Sequence, residues 1–299
     1  MKILYVAKHG SGGNDDEGAI AYALEQLGHD VVCVQEADVT PSQQIVHADL
    51  ILFHKWQPRR RYDVPTVFWY FDLVNHPDPS LRSRCNRRIR WMREVCPLVD
   101  LGFCTDGDWV ESFNPMSGGK LVWLPQGADE RVVGMGTVGP GQTPFDLLFT
   151  GIATGGGKGR VEWVRWCERD YGDKFHYVRW GLYREGLRDV IANTKIVLCP
   201  DSPVTDRYWS NRVYNAAGFG AVILHPYCMR LVEHFTDKEI VYYQGKDQLR
   251  AKINLLLDPD SKTYRLALSL NAMARVLEQH LYRHRCQTLI ATVRERLGI

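Results

Sequence analysis

The sequence has no CxxC pair, no HExxH and no GxxxxGK[ST] phosphate loop. It has no apolar run near the roughly 18 residues that cross a bilayer. The opening MKILYVA is too short for a signal-peptide core and is closed by Lys8 and His9. These absences argue against a zinc protein, a P-loop nucleotide hydrolase and a membrane-spanning or exported chain. A cytoplasmic protein is expected, in the host cytoplasm if a virus encodes it. Cysteine is present at eight scattered positions, several inside apolar runs such as VVCV and IVLC. Such thiols read as mostly buried and free in a reducing compartment. His280 and His284 stand four apart but have no acidic or thiol ligand beside them, so no metal site is expected.

Net charge is also scarce, at +2 over 299 residues. It is unevenly placed. From Lys55 to Arg93 ten basic residues face only Asp63, Asp72 and Asp78. A local basic surface attracts anionic partners even on a nearly neutral chain.

What the sequence does contain is apolar runs of strand length separated by helical patterns. Ile3 to Val6, Val31 to Val34, Ala48 to Phe53, Pro65 to Phe71, Leu101 to Thr105 and Leu121 to Leu124 read as strands. They are continuous rather than alternating, as in parallel strands covered on both faces. Ala19 to Leu27 reads as a helix closed by Gly28. Residues 80–96 put Leu81, Cys85, Ile89 and Met92 on one stripe, with the arginines largely off it. GMGTVGPGQTP then breaks the pattern as a linker. Strands resume at Leu147 to Gly151, Phe175 to Trp180, Thr194 to Cys199, Ala221 to Leu224 and Ile240 to Tyr243. Helices follow over Val161 to Asp170, Ser210 to Phe219, Leu249 to Leu257 and Tyr264 to Leu297, the last broken near His280. The expected fold is α/β, with two domains. The first spans 1–133 with a helix of about 280–299 packed back on it, 134–145 link, and the second spans 146–279.

Three segments carry polar chemistry. HGSGGNDDE follows the first strand, where Gly12 and Gly13 would let backbone N–H groups approach a phosphate. It is not GxGxxG, which speaks against a nicotinamide or flavin site. GIATGGGKGR supplies Gly151, Lys158 and Arg160. PDSPVTDRYWSNRVYNAAGFGA supplies Arg207, Asn211, Arg212 and Asn215 around a helix start, and arginines clamp phosphates with paired donors. Each segment has a plainer reading as a solvated loop or a polar helix start.

On these residues the chain resembles the GT-B glycosyltransferases, two Rossmann-like domains facing a cleft. Within them it is similar to the glycosyltransferase group 1 family that includes the CgeB-like proteins. The resemblance rests on MKILYV with its glycine loop, WYFD at 69–72, VDLGFCTD at 99–106, LVWLPQGAD at 121–129, LLFTG at 147–151, SNRVYNAAGFGAVIL at 210–224 and HLYRHR at 280–285. One departure stands out: the family commonly has Glu where this chain has Asn215.

The resemblance implies a transferase moving a hexosyl or pentosyl group from a nucleotide diphosphate sugar, UDP- or GDP-linked, to a hydroxyl acceptor. No cofactor or metal is required. The donor would lie on the second domain, at Gly151, Lys158, Arg160, Arg207, Asn211, Arg212 and Asn215, with Gly12 and Gly13 from the first. The acceptor would lie on the first domain. The base candidates are Asp72, His9 and Asp16; Asp72 has capping the next turn as its alternative, and His9 ordering its loop. Arg84, Arg87 and Arg88 would contact an anionic acceptor, with DNA carrying a hydroxymethylated base as the concrete case and a saccharide as the other. A non-catalytic sugar-nucleotide or nucleic-acid binder, or an epimerase, are the competing functions. The oligomeric state is not indicated.

Overall fold

The computed structural model describes residues 1–10, 15–38, 47–55, 58–75, 82–134, 145–153, 158–179, 181–200 and 204–299, with the side chains of 82–84 and 158–159 left aside. The chain divides into two compact units. The first comprises Met1–Glu130 and Tyr282–Ile299, and the second Arg131–Leu281. The linker over 134–145 lies almost wholly outside the described residues.

In the first unit six strands form one parallel sheet. They are β1 (Lys2–Ala7), β2 (Asp30–Gln35), β3 (Leu50–His54), β4 (Thr66–Tyr70), β5 (Leu101–Cys104) and β6 (Leu121–Trp123). Their order is β2-β1-β3-β4-β5-β6. Every residue of β3 and β4 is buried, which is why their sequences do not alternate. The strand β2 departs from the expectation of coverage on both faces. As the edge strand it is half-buried, and Cys33 is exposed while the other seven free cysteines are buried.

Helix α1 (Asp16–Gln26) starts where the Asp15 carboxylate accepts the Gly18 N–H at 3.0 Å. A Cβ at Gly18 would lie 2.1 Å from that carboxylate, so this cap requires glycine. The sheet is covered on its other face by α2 (Arg82–Val95) and α3 (Gly107–Phe113), whose Met92, Val95, Trp109 and Phe113 share a core with Val6, Ile51 and Phe68.

The second unit holds five parallel strands in the order β11-β10-β9-β7-β8. These are β7 (Phe145–Thr150), β8 (Phe175–Val178), β9 (Thr194–Leu198), β10 (Ile223–Pro226) and β11 (Ile240–Tyr243). Its helices are α4 (Lys158–Tyr171), α5 (Arg184–Ala192), α6 (Arg212–Gly218), α7 (Leu231–His234), α8 (Gly245–Leu257) and α9 (Lys262–Arg275). A π-helical turn over Val276–His280 then ends the unit, at the break expected near His280.

The final helix, α10 (Tyr282–Leu297), belongs to the first unit. Its Tyr282, Cys286, Leu289, Ile290 and Val293 are buried with Tyr5, Ile20 and Leu24 of β1 and α1. Full burial is worth roughly 1.5–3 kcal/mol per large apolar side chain against exposure.

Candidate functional site

The two sheets repeat one topology. In each, the first strand has the second on one side and the third on the other, so the direction of winding reverses between β1 and β3, and again between β7 and β9. Ligands of open α/β sheets bind outside the carboxyl ends of the strands at such a reversal.

At the β7/β9 reversal the chain places arginine. Arg212, the first residue of α6, donates from Nε to the Thr150 carbonyl at 2.9 Å and holds its guanidinium over the Phe149 ring, 5.0 Å from the centroid. Next to it Gly151 has φ +112°. A Cβ there would stand 2.7 Å from Arg212 Nη2, so both the backbone angle and the guanidinium require glycine. Arg160 of α4 donates from Nε to the Pro200 carbonyl at 3.2 Å, just beyond β9. Asn211 precedes α6 in helical geometry. Its carbonyl accepts the Asn215 N–H at 2.9 Å, and Asn215 is half-buried one turn on. Arg207 is half-buried in the segment leading to Asn211. That segment is held by the Cys228 thiol, which donates to the Thr205 carbonyl at 3.0 Å, and by Trp209, whose indole donates to the Tyr214 hydroxyl at 2.8 Å. Lys158 opens α4, and its side chain lies outside the description.

Exposed apolar side chains also follow these strand ends. Ile152, Tyr183, Val204, Tyr227 and Met229 are exposed, and all follow the carboxyl ends of β7, β8, β9 or β10. The sequence reading did not single them out. Exposed aromatic and aliphatic side chains around a polar centre are the usual lining of a small-molecule site.

The base candidates of the first unit have separate partners. Asp72 is exposed just beyond β4, with Oδ2 3.4 Å from Arg88 Nη2, and Arg88 also donates to the Leu73 carbonyl. Asp16 accepts from the Tyr282 hydroxyl at 2.9 Å. His9 sits in the turn after β1 with Nε2 3.2 Å from the Tyr5 carbonyl, to which that nitrogen donates when protonated. Gly12 and Gly13 lie outside the described residues, as does the Arg84 side chain, while Arg87 is exposed on α2.

Two of the motifs meet in this unit. The Tyr282 N–H donates to the Ala128 carbonyl at 2.9 Å, and Arg285 Nε to the Gln126 carbonyl at 3.0 Å, so HLYRHR is fastened to LVWLPQGAD. Asp106, from VDLGFCTD, is buried and accepts the N–H groups of Val74, Asn75 and Trp109 at 2.8, 3.1 and 3.0 Å. Burial holds its carboxyl group above the ordinary range and outweighs the opposing effect of the three donors.

The β1/β3 reversal carries residues the sequence reading missed. Glu17 in the first turn of α1, His54 at the end of β3 and Lys55 just beyond it converge there. Glu17 Oε1 lies 3.5 Å from His54 Nε2 and 3.6 Å from Lys55 Nζ. Burial, followed by the Lys55 and His9 charges, drives the His54 imidazole well below the ordinary histidine range, so it is neutral near pH 7. The available signal was the His-Lys pair closing the apolar run LILF. Among the described residues no three His, Cys, Asp or Glu side chains are grouped to hold a metal, and no helix is long and apolar enough to cross a membrane.

Comparison with known proteins agrees with this layout. Residues 144–291 match the family described as "Glycosyl transferase-like". The chain superposes on sucrose-phosphate synthase from Thermosynechococcus elongatus with a TM-score of 0.67 at 12% identity, covering 100% of this chain and 99% of that one. Anabaena Alr3699/HepE in complex with UDP-glucose gives 0.63 at 13% identity, covering 99% and 100%. An alpha-glucosyltransferase in complex with UDP-glucose and DNA containing an abasic site gives 0.67 at 9% identity, covering 98% of each. No match was found among curated proteins.

Proposed function

We propose that this chain, a group 1 glycosyltransferase of the GT-B fold, uses its second unit to bind a nucleoside diphosphate sugar and transfers the hexosyl or pentosyl group to a hydroxyl held by its first. The observation that carries this reading is the Arg212 guanidinium fixed between the Thr150 carbonyl and the Phe149 ring beside a glycine that a side chain cannot replace. A guanidinium held in place before the ligand arrives meets an anion at little ordering cost. In this reading Arg212, Arg160 and Arg207 bind the diphosphate, with Lys158 as a further candidate by its position in the sequence, and supply without a metal the positive charge that the leaving group needs as its bond to the sugar breaks. Asn211 and Asn215 face the ribose or sugar hydroxyls. The exposed apolar side chains contact the base and sugar faces. UDP- and GDP-sugars are the donors to test first.

The decisive measurement is calorimetry with a panel of UDP- and GDP-sugars in EDTA. A folded protein that binds none overturns the proposal. Arg212→Ala is expected to weaken the cognate donor more than tenfold, about 1.4 kcal/mol. Asn215→Glu is expected to tighten it if a charged partner suits the ribose better than the amide. A bound donor that is neither transferred nor hydrolysed would favour the non-catalytic binder, whose support is Asn215 itself.

For the acceptor, the arginines of α2 support an anionic molecule such as hydroxymethylated DNA, since Arg87, Arg90 and Arg93 are exposed. Duplex binding across a salt series tests this. Phosphate contacts give a log–log slope of about −0.9 per phosphate neutralised, and replacing Arg84, Arg87 and Arg88 together should flatten it.

A further inference from the structure

The first helices of the two units open with opposite charge. α4 begins Lys158-Gly159-Arg160, whereas α1 is preceded by Asp15 and begins Asp16-Glu17. The α1 amide that would meet an anion is already taken, because the Gly18 N–H is bonded to Asp15. Behind this turn, at the β1/β3 reversal, several polar groups stand with their bonding capacity unused. His54 is 1% exposed, and among the described residues neither ring nitrogen has a hydrogen-bond partner, Nε2 standing 3.5 Å from Glu17 Oε1. The Tyr5 hydroxyl, also fully buried, likewise has none among the described residues. Among the described residues Lys55 is one of two non-glycine residues with positive φ, at +61°, held by its N–H to the Trp69 carbonyl at 3.1 Å. That strained backbone sets its ammonium 5.2 Å from the centre of the Phe71 ring and 3.6 Å from Glu17 Oε1. Strain of this kind is concentrated at functional sites.

We propose that Glu17 and Lys55 bind hydroxyl groups of a saccharide acceptor at this reversal, with His54 as a positioning residue behind them. The inference rests on the glycosyltransferase reading and names the acceptor class for it. A hydroxyl donates once and accepts twice, so a carboxylate and an ammonium 3.6 Å apart match both its halves. Glu17 is nearly buried while the Lys55 side chain is about one-third exposed, which puts the ammonium on the solvent side and the carboxylate behind it. Bonds from a neutral hydroxyl to such groups are charge-assisted. A phosphate at the same place would meet three carboxylates in and before the first turn of α1. The reversal thus favours a neutral polyol over the nucleic-acid backbone that the α2 arginines attract.

The test uses the whole ¹⁵N-labelled chain and methyl α-D-glucopyranoside as the probe. Saturable shifts are expected at the amides of Gly18, His54 and Lys55. Glu17→Gln and Lys55→Met, both close in size to the originals, are each expected to raise the glucoside Kd about tenfold or more. Their affinity for UDP-glucose by calorimetry should stay within twofold, and a melting curve checks the fold of each. Absence of saturable shifts at these amides, variants that titrate like the parent, or shifts produced only by hydroxymethylated duplex DNA would overturn the inference. Failure of UDP-glucose and every other donor to bind the parent chain would instead overturn the glycosyltransferase reading, since the glucoside titration reads the first unit by itself.

Discussion

The same strand order yields two different sheet edges. In the second unit the edge is built from arginines whose Nε groups are tied to main-chain carbonyls, Arg212 to Thr150 and Arg160 to Pro200. In the first unit the corresponding edge is balanced: Glu17 against Lys55, Asp16 bonded to Tyr282, and His54 kept neutral by burial. Topology sets where a crevice opens. The residues at the start of the next helix set what it accepts. A basic start suits a diphosphate, and an acidic one repels it and leaves room for hydroxyls.

The largest expected effect tests whether the two edges are independent. Asp106→Ala leaves three N–H groups without their acceptor, two of them on the segment after β4. It should lower stability by about 3 kcal/mol or more in a denaturant titration. Donor affinity measured on the folded fraction should not change. A joint loss would mean that the edges are coupled.

Gly151→Ala comes next and acts on the second edge alone. It forces a side chain into φ +112° and against Arg212 Nη2. A stability loss of about 1–3 kcal/mol is expected, together with weaker donor binding by calorimetry. Retained donor affinity would show that the Arg212 position is not what the edge depends on.

The third effect is pH-dependent and belongs to the first edge. The folded state holds His54 well below the ordinary pKa of about 6.5, among Glu17, Lys55, Tyr5 and His9. The unfolded chain therefore takes up a proton that the folded chain refuses. Stability from this residue is fully present above about pH 6.5 and is lost as pH falls through that value toward the folded pKa, by up to about 1.4 kcal/mol per pH unit. His29 and His284, shifted in the same direction but partly exposed, add a smaller slope. Thermal melts from pH 7.5 to 5.5 should show the fall, and His54→Leu should flatten it. An unchanged slope in that variant would remove His54 as the cause.

The smallest effect is Asp72→Asn. This exposed carboxylate and Arg88 form a surface pair, and its loss should change stability by no more than about 0.5 kcal/mol. If transfer to an acceptor nevertheless falls sharply, Asp72 touches substrate, and the first edge extends from the β1/β3 reversal to the end of β4.

Much of the strand pattern was legible because parallel strands buried on both faces spell themselves as apolar runs, as LILF and TVFW do. β2 shows the limit: VVCV reads like the others, but being an edge strand depends on which strand it pairs with, and that information is not local. Helix α5 went unread because only Leu187 and Ile191 of its nine residues are buried, too short a stripe to stand out. At the second edge Arg212 was legible because it sits at a helix start directly after a polar loop. At the first edge Glu17 lies far in sequence from the adjacent pair His54 and Lys55. They meet only because β3 pairs with β1 rather than with β2, so no spacing rule reveals them.

The return of α10 to the first unit has a consequence for how the chain comes off the ribosome. The second unit is continuous in sequence and can close as soon as its last strand and helices emerge. The first cannot, because one face of its sheet waits for Tyr282, Cys286, Leu289, Ile290 and Val293. At about 5–20 residues per second that wait lasts on the order of tens of seconds after α1 appears. During it, the apolar side chains of β1 and α1 stand uncovered. The unit synthesised first is therefore completed last, and its nascent form is the stage at which a holding chaperone would matter most.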